Sequence, residues 1–308
     1  MTDTTQTMKR SGFSFPKTEL LLLLVAVFWG TSYGLTKQAL LFTTVLTFIA
    51  IRFSMTFVAL LPIIVMDFRK GRNKDWFVAI PTGGILSAIF FCEVFGVSLT
   101  TASNAAFLIS LSVILTSFAE FFVNKSRVSP RMFLLVLICV AGVFLLTHSE
   151  GVAWTLNTGD YFILLAAVLR AMMVTLTKKF TDGREITTAT LTALQSLTVA
   201  LVAIVALSVA MPTAAISLPD SVTFWSILVY LVMFCTLFAF YVQNHAVRQI
   251  SPTRASLLMG SEPLFGALFA VVWLQESLSA VQVLGGGMIL ASVLLASLKE
   301  LPDRLNER

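Results

Sequence analysis

The sequence contains few charged residues and few of the side chains that bind metals or carry out hydrolysis. Only 12% of its 308 residues are charged, against about 25% in a typical soluble domain. Two residues are histidines, and the three cysteines, Cys92, Cys139 and Cys235, form no CxxC pair that would bind a metal or cycle a disulfide. No HExxH motif is present, which argues against a zinc-dependent hydrolase. We predict no metal site and no cofactor.

Apolar residues, by contrast, make up 57% of the chain, and the mean hydropathy is +0.90. They lie in long continuous runs, and a helix needs roughly 20 such residues to cross the hydrocarbon core of a bilayer. Membrane β-strands are short and alternate in hydropathy, so these runs exclude a β-barrel. We therefore predict an all-α integral membrane protein whose main surroundings are the lipid bilayer.

Ten runs are long enough to predict ten transmembrane helices. They cover residues 18–39, 42–66, 76–99, 103–123, 131–147, 159–179, 187–211, 222–244, 254–275 and 279–298. Residues 1–17 and 299–308 are predicted to be polar tails. No A-x-A cleavage site follows the first run, so it is predicted to be a retained helix and not a signal peptide.

The basic residues indicate how these helices are oriented. Every second connection between the predicted spans lies on the same side of the membrane as the N-terminal tail. All but three of the 21 Lys and Arg fall in these connections and in the two tails. Because Lys and Arg in short loops stay cytoplasmic, both termini are predicted to be cytoplasmic. The three exceptions are Lys37, Arg52 and Arg170. The net charge of +5 therefore indicates membrane topology and not a nucleic-acid partner.

The loop at 148–159 divides the chain into two sets of five predicted spans, residues 18–150 and 151–298. An odd number of spans per set requires that two related halves be inverted across the membrane. The tripeptide at 35–37, Leu-Thr-Lys, recurs at 176–178. Inverted five-helix repeats are typical of secondary transporters, in which the halves exchange roles.

Short motifs also occur in a fixed order along both halves. They read FWGTSY at 28–33, IRF at 51–53, TASNAA at 101–106, YVQN at 241–244, SPTRA at 251–255, SEP at 261–263 and LQESL at 274–278. Together they resemble the EamA-type transporters of the drug/metabolite transporter superfamily over about residues 20–298. The resemblance implies a multi-pass carrier of the bacterial inner (plasma) membrane that exports amino acids or other small metabolites from a cavity between the halves.

Charged residues within spans are the strongest site candidates, because a charge at the bilayer centre costs roughly 2.5 to 3.5 kcal/mol. Arg170 is predicted either to bind a substrate carboxylate or other anion with its guanidinium fork or to pair with an acidic residue on a neighbouring helix. Arg52 and Glu93 fall at similar depth on adjacent spans, and a mutual salt bridge is favoured. Without that salt bridge, Glu93 is the best candidate for a carboxylate that couples transport to a proton. Glu262 precedes Pro263, which either forms a hinge with this possible coupling or ion-pair residue beside it, or only kinks the helix so that Glu262 caps the freed backbone donors. The second reading is favoured.

Aromatic and amide side chains complete the predicted substrate site. Trp29 and Tyr33 are four residues apart and share a helix face, which is predicted to line the cavity. Tyr241, Gln243 and Asn244, near the inner end of the eighth span, either gate the cytoplasmic mouth or tie helices together.

The sequence favours one of three classes of function. A secondary transporter agrees with the span count and the intramembrane charges. A membrane-embedded enzyme would require a convergent catalytic set that the sequence lacks. A structural or signalling protein would have few surfaces for partners, since little of the chain lies outside the predicted spans.

Overall fold

The structure, a computed structural model, describes residues 17–147, 156–210, 218–274 and 278–297. Within these ranges the chain is helical apart from turns and short connections, and they contain no strand. The first half comprises α1 (Lys17–Ala39), α2 (Val45–Arg69), α3 (Ala79–Leu99), α4 (Ala102–Ser110), α5 (Ser112–Asn124) and α6 (Pro130–Thr147). The second half comprises α7 (Thr158–Thr181), α8 (Thr188–Ala210), α9 (Val222–Tyr230), α10 (Ala239–Gln249), α11 (Pro252–Met259), α12 (Glu262–Leu274) and α13 (Ala280–Ser297).

Eight helices of the described chain are long and apolar enough to cross a membrane. They are Lys17–Ala39, Val45–Arg69, Trp76–Leu99, Asn104–Asn124, Pro130–Thr147, Thr158–Thr181, Thr188–Ala210 and Val222–Gln249. The prediction of an all-helical membrane protein is confirmed. The ninth predicted span corresponds to α11 and α12, which are shorter, and the tenth to α13. Ten crossings and two cytoplasmic termini stay predictions.

Two predicted continuous helices are interrupted at corresponding places in the two halves. One break, at Leu111, separates α4 from α5, and the other, at 260–261, separates α11 from α12. At both, a serine hydroxyl donates to the carbonyl three residues earlier: Ser110 to Phe107 at 2.6 Å and Ser261 to Leu258 at 2.7 Å. Such back-bonding bends helices, and Pro263 then lies in the first turn of α12, where its missing N–H is tolerated.

The eighth long helix contains a wide turn that the sequence did not indicate. Residues 231–238, between α9 and α10, are π-helical, and the hydroxyl of Thr236 donates to the carbonyl of Leu231 at 2.9 Å. π-Helical turns are rare and often occur at functional sites. This one leaves backbone and side-chain acceptors of the helix facing α1 and α2.

Close helix contacts bring the two halves together at glycine. A Cβ at Gly30 of α1 would lie 2.6 Å from the carbonyl oxygen of Glu262 and 2.7 Å from the nitrogen of Gly266, both on α12. At a second crossing, a Cβ at Gly142 of α6 would lie 2.7 Å from the carbonyl oxygen of Gly285 on α13. Only glycine allows backbones to approach this closely.

The recurring Leu-Thr-Lys tripeptide forms equivalent contacts in the two halves. Lys37, at the end of α1, donates to the carbonyl of Thr100 at 2.7 Å, where α3 ends. Lys178, near the end of α7, donates to the carbonyl of Arg248 at 3.0 Å, near the end of α10. Each lysine thus neutralises a helix C-terminus, the end that favours a positive charge.

Candidate functional site

A small, largely enclosed cavity lies between the two halves of the molecule. Helices α1, α2 and α3 of the first half and α7, α10 and α12 of the second contribute its lining. The polar and aromatic residues that line it are Trp29, Ser32, Tyr33, Arg52, Phe90, Glu93, Arg170, Phe240, Gln243 and Glu262. Two arginines and two glutamates therefore share one site, which gives it no formal net charge.

An ion pair between the halves crosses one side of this cavity. Nη1 of Arg170 on α7 lies 3.0 Å from Oε1 of Glu262 on α12, and the two side chains are 11% and 2% exposed. The hydroxyl of Tyr33 donates to the same carboxylate oxygen at 3.4 Å. Of the two roles predicted for Arg170, the structure shows the pairing with an acidic residue. Glu262 accepts from these two side chains, and the predicted capping of backbone donors is not among its described bonds.

The ring of Trp29 lies beneath the Arg170 guanidinium. The guanidinium carbon is 4.3 Å from the ring centroid, within the range of a cation–π interaction. The indole N–H donates to the carbonyl of Cys235 at 2.9 Å, in the π-helical segment. Trp29 and Tyr33 both line the cavity, as the shared helix face predicted, and Trp29 is contacted on two sides, by Arg170 and by the carbonyl of Cys235.

Arg52 and Glu93 do not form the predicted salt bridge. Nε of Arg52 instead donates to the hydroxyl of Thr236 at 2.7 Å, and its guanidinium lies over the rings of Phe48 and Phe90, at 5.9 and 5.2 Å. The physical reason is the orientation of α2, which packs against α8 and the π-helical segment as well as α3. Arg52 faces the acceptor that the wide turn exposes.

Glu93 lines the cavity with no hydrogen bond or ion pair to any part of the chain that the structure describes. Two further acceptors of the lining are also unsatisfied there: Oε2 of Glu262 and Oε1 of Gln243, both buried. Buried polar atoms are nearly always hydrogen-bonded. These two buried acceptors and the half-buried carboxylate of Glu93 can each accept a hydrogen bond from a donor that enters the cavity.

In this conformation the cavity is too small for an organic substrate. About 30 Å³ is free for the centre of a water-sized sphere. By this measure one water needs roughly 10 to 15 Å³, so there is room for about two waters. A larger ligand requires the lining helices to move apart.

Two of the predicted substrate residues lie outside this lining. Tyr241 is 40% exposed, and its ring stacks on His245 at 6.4 Å. Asn244 is buried, and its amide donates to the hydroxyl of Thr192 at 2.9 Å and to Oε1 of Gln195 at 2.8 Å. Asn244 ties α10 to α8, in agreement with the helix-tying alternative.

No site role was predicted for Phe90 or Thr236, whereas Gln243, predicted to gate the mouth or to tie helices, lines the cavity. Phe90 precedes Glu93 by three residues and so shares its helix face, a signal that was present in the sequence. Thr236 carried no such signal, because its position depends on the π-helical turn. The described residues contain no group of three or more His, Cys, Asp or Glu placed to hold a metal ion, and the absence of a metal site stays a prediction.

Comparisons with known proteins agree with this architecture. The model of the EamA-like transporter family matches residues 16–148 and again 157–298. An uncharacterized transporter of Archaeoglobus fulgidus is 27% identical over 283 residues, 91% of this chain and 86% of the relative. The uncharacterized transporter YyaM of Bacillus subtilis is 23% identical over 293 residues, 90% and 92% of the two chains. A solved crystal structure has the same fold over 92% of this chain and 97% of its own, with a TM-score of 0.75 and 16% identity.

The fold, the intramembrane charges and these relatives define a multi-pass membrane transporter. The chain belongs to the EamA-like transporter family, with both matched segments together covering almost its whole length.

Proposed function

We propose that the protein is a secondary carrier that exports amino acids or related small organic metabolites across the bacterial inner membrane by alternating access. In this proposal the chain crosses the bilayer ten times, as two inverted repeats at 18–150 and 151–298, with both tails in the cytoplasm. The substrate occupies the central cavity between the repeats.

The observation that carries the proposal is the set of charges at this cavity. Arg52 and Glu93 come from the first half, and Arg170 and Glu262 from the second. Charged residues within membrane spans are rare and usually mark substrate or ion pathways. Four charged residues surround one cavity between the two halves. Such a cavity can bind a polar solute and keep it away from lipid.

The recurring contacts at the helix ends support an exchange of roles between the halves. Lys37 donates a hydrogen bond to the C-terminal end of α3, and Lys178 donates one to the C-terminal end of α10. In the predicted topology these contacts lie on opposite sides of the membrane. Opening one while the other stays closed is the motion that alternating access requires.

Glu93 is the proposed coupling group if the carrier uses a proton. Its carboxylate has no hydrogen-bonding partner in the described chain, and the charged and titratable groups that share the cavity are Arg52, Arg170, Glu262 and Tyr33. A carboxylate without an ion-pair partner is free to exchange a proton during the cycle.

Transport by purified protein in proteoliposomes tests the function. Liposomes are loaded with unlabelled amino acids, and the uptake of a labelled panel by exchange is compared with protein-free liposomes. We expect exchange of a subset of the panel, and a response to an imposed pH gradient that the Glu93→Gln variant lacks. Exchange of every solute at the protein-free rate, by folded and correctly inserted protein, would contradict the proposal for amino acids.

A further inference from the structure

The four charges of the cavity are not equivalent, because two of them already satisfy each other. Arg170 and Glu262 form an ion pair at 3.0 Å. Arg52 and Glu93 have no ion-pair partner within the described chain, although both line the same space. Buried charges are normally paired or hydrogen-bonded. Arg52 meets this condition through Thr236 alone, and its charge and that of the half-buried Glu93 can each attract an opposite charge that enters the cavity.

Arg52 retains most of its capacity to donate. A guanidinium offers five N–H groups, and the described bonds of Arg52 use one, from Nε to Thr236. The remaining contacts are the faces of two phenylalanine rings. Nε is held by Thr236 and the guanidinium lies against two rings, which leaves both terminal nitrogens without a described hydrogen bond. Such nitrogens are the ones with which a guanidinium binds a carboxylate in bidentate geometry.

Glu93 lies one helical turn from the ring on which Arg52 rests. The Arg52 guanidinium is 5.2 Å from the centroid of Phe90, and Glu93 follows three residues later, a rise of about 4.5 Å along α3. A free amino acid carries its ammonium and its carboxylate on one carbon, so it presents both charges to residues that line one cavity. The acceptors Glu262 Oε2 and Gln243 Oε1 are available at the same cavity for further ammonium N–H groups.

We propose that the cavity binds a zwitterionic amino acid with its carboxylate on Arg52 and its ammonium on Glu93. This assignment rests on the proposed function and deepens it by naming the residues that recognise the two charges. Arg170 then acts as a positioning residue: it holds Glu262 through the ion pair and covers Trp29, and it does not bind the substrate carboxylate. The neutral total charge of the site is retained when a neutral zwitterion enters.

Binding to charge-matched probes tests the assignment. Purified protein in lipid nanodiscs is titrated calorimetrically with each standard amino acid. The tightest binder is then compared with its methyl ester, which keeps only the ammonium, and its N-acetyl derivative, which keeps only the carboxylate. We expect the zwitterion to bind more tightly than either derivative.

Two variants test the recognition of the carboxylate and of the ammonium separately. Arg52→Gln should weaken binding of the amino acid and the N-acetyl derivative by about ten- to a hundredfold, the cost of a charged hydrogen bond, and leave the ester unchanged. Glu93→Gln should weaken the amino acid and the ester and leave the N-acetyl derivative unchanged. Arg127→Gln and Glu185→Gln, which remove exposed charges outside the cavity, are the matched controls and should bind all three probes as the wild type does.

The outcomes distinguish this inference from the proposed function. Equal losses for all three probes in Arg52→Gln, or wild-type binding of the N-acetyl derivative by that variant, would overturn the assignment. Should Arg52→Gln not fold, Arg52→Lys keeps the charge without the fork, and undiminished binding by it would likewise contradict bidentate recognition. Exchange of amines or of acids, with no binding of amino acids, would refute the recognition of a zwitterion by Arg52 and Glu93. The proposal that the protein is a carrier would still hold. A lack of exchange of any solute would instead contradict the carrier itself.

Discussion

Arg170 and Glu262 form a buried ion pair, 3.0 Å between Nη1 and Oε1, that joins α7 to α12. A buried pair is expensive to desolvate, so it contributes less to stability than its short distance suggests. Removing one partner is different, because it leaves an uncompensated charge inside the protein. The pair therefore determines how the protein responds to single and double substitutions.

We expect Arg170→Met to destabilise the protein by about 3 to 5 kcal/mol, because Glu262 loses its cation. The double variant Arg170→Met/Glu262→Met should recover most of the loss. Thermal unfolding midpoints of both variants in one detergent measure the effect, with Arg127→Met as a surface control. A double variant no more stable than the single one would show that the ion pair is not the cause.

Gly30→Ala should destabilise the crossing of α1 and α12. Its Cβ would lie 2.6 Å from the Glu262 carbonyl oxygen, so the helices must separate, at a cost of about 1 to 3 kcal/mol. Gly34→Ala, one turn later on the same helix, is the control, because no atom lies within 4 Å of its Cβ. Unfolding midpoints should fall for the first variant only, and an equal fall in both would contradict the packing argument.

The hydroxyl of Thr236 should be needed for the orientation of Arg52. Thr236→Val preserves the shape of the side chain but leaves Nε of Arg52 without its acceptor. We expect the free energy of amino-acid binding to become less favourable by about 1 to 3 kcal/mol. Thr236→Ser keeps the hydroxyl and should behave as the wild type does. Calorimetric titration with the tightest-binding amino acid checks this, and equal affinities in Val and Ser variants would refute a positioning role.

A similar comparison applies to the crossing of α6 and α13. A Cβ at Gly142 would lie 2.7 Å from the carbonyl oxygen of Gly285, whereas one at Gly287 meets no atom within 4 Å. We expect Gly142→Ala to lower the unfolding midpoint and Gly287→Ala to leave it unchanged or raise it slightly, since alanine reduces the freedom of the unfolded chain. The reverse order would show that this face of α13 is not packed as described.

The predicted topology places Ser98 and Ser126 on opposite sides of the membrane, at the ends of the third and fourth spans. Both residues are exposed, and the native cysteines are buried or half-buried. In intact cells a membrane-impermeant maleimide should label Ser98→Cys and not Ser126→Cys, and inside-out vesicles should show the opposite. Labelling of both from one side would contradict the predicted orientation.

The helices were predictable from the sequence because hydropathy is a local property. The runs at 18–39 and 159–179 match α1 and α7 to within about two residues. The partners of the intramembrane charges were not predictable, because they depend on how each helix is rotated about its axis. Similar depth on adjacent spans suggested that Arg52 would meet Glu93, whereas the orientation of α2 directs Arg52 to Thr236.

The ion pair between Arg170 and Glu262 joins residues 92 positions apart, and the sequence left the identity of the acidic partner open. The prediction of a shared cavity face for Trp29 and Tyr33 required only helical spacing and agrees with the structure. The assignment of Tyr241 to the substrate site rested on the YVQN motif and not on helical spacing, and its side chain is exposed and outside the cavity lining.

The π-helical segment sets the phase between the two ends of the helix Val222–Gln249. Successive residues of an α-helix are rotated by about 100°, and a wide turn accommodates roughly one residue more than α geometry does. Phe240 and Gln243 face the cavity with this extra residue in place. Rewinding the segment to α geometry would turn both side chains by about 100° relative to Tyr230. The shape of the site therefore depends on the winding of this one helix, because a local change in the number of residues per turn rotates the side chains that line the cavity.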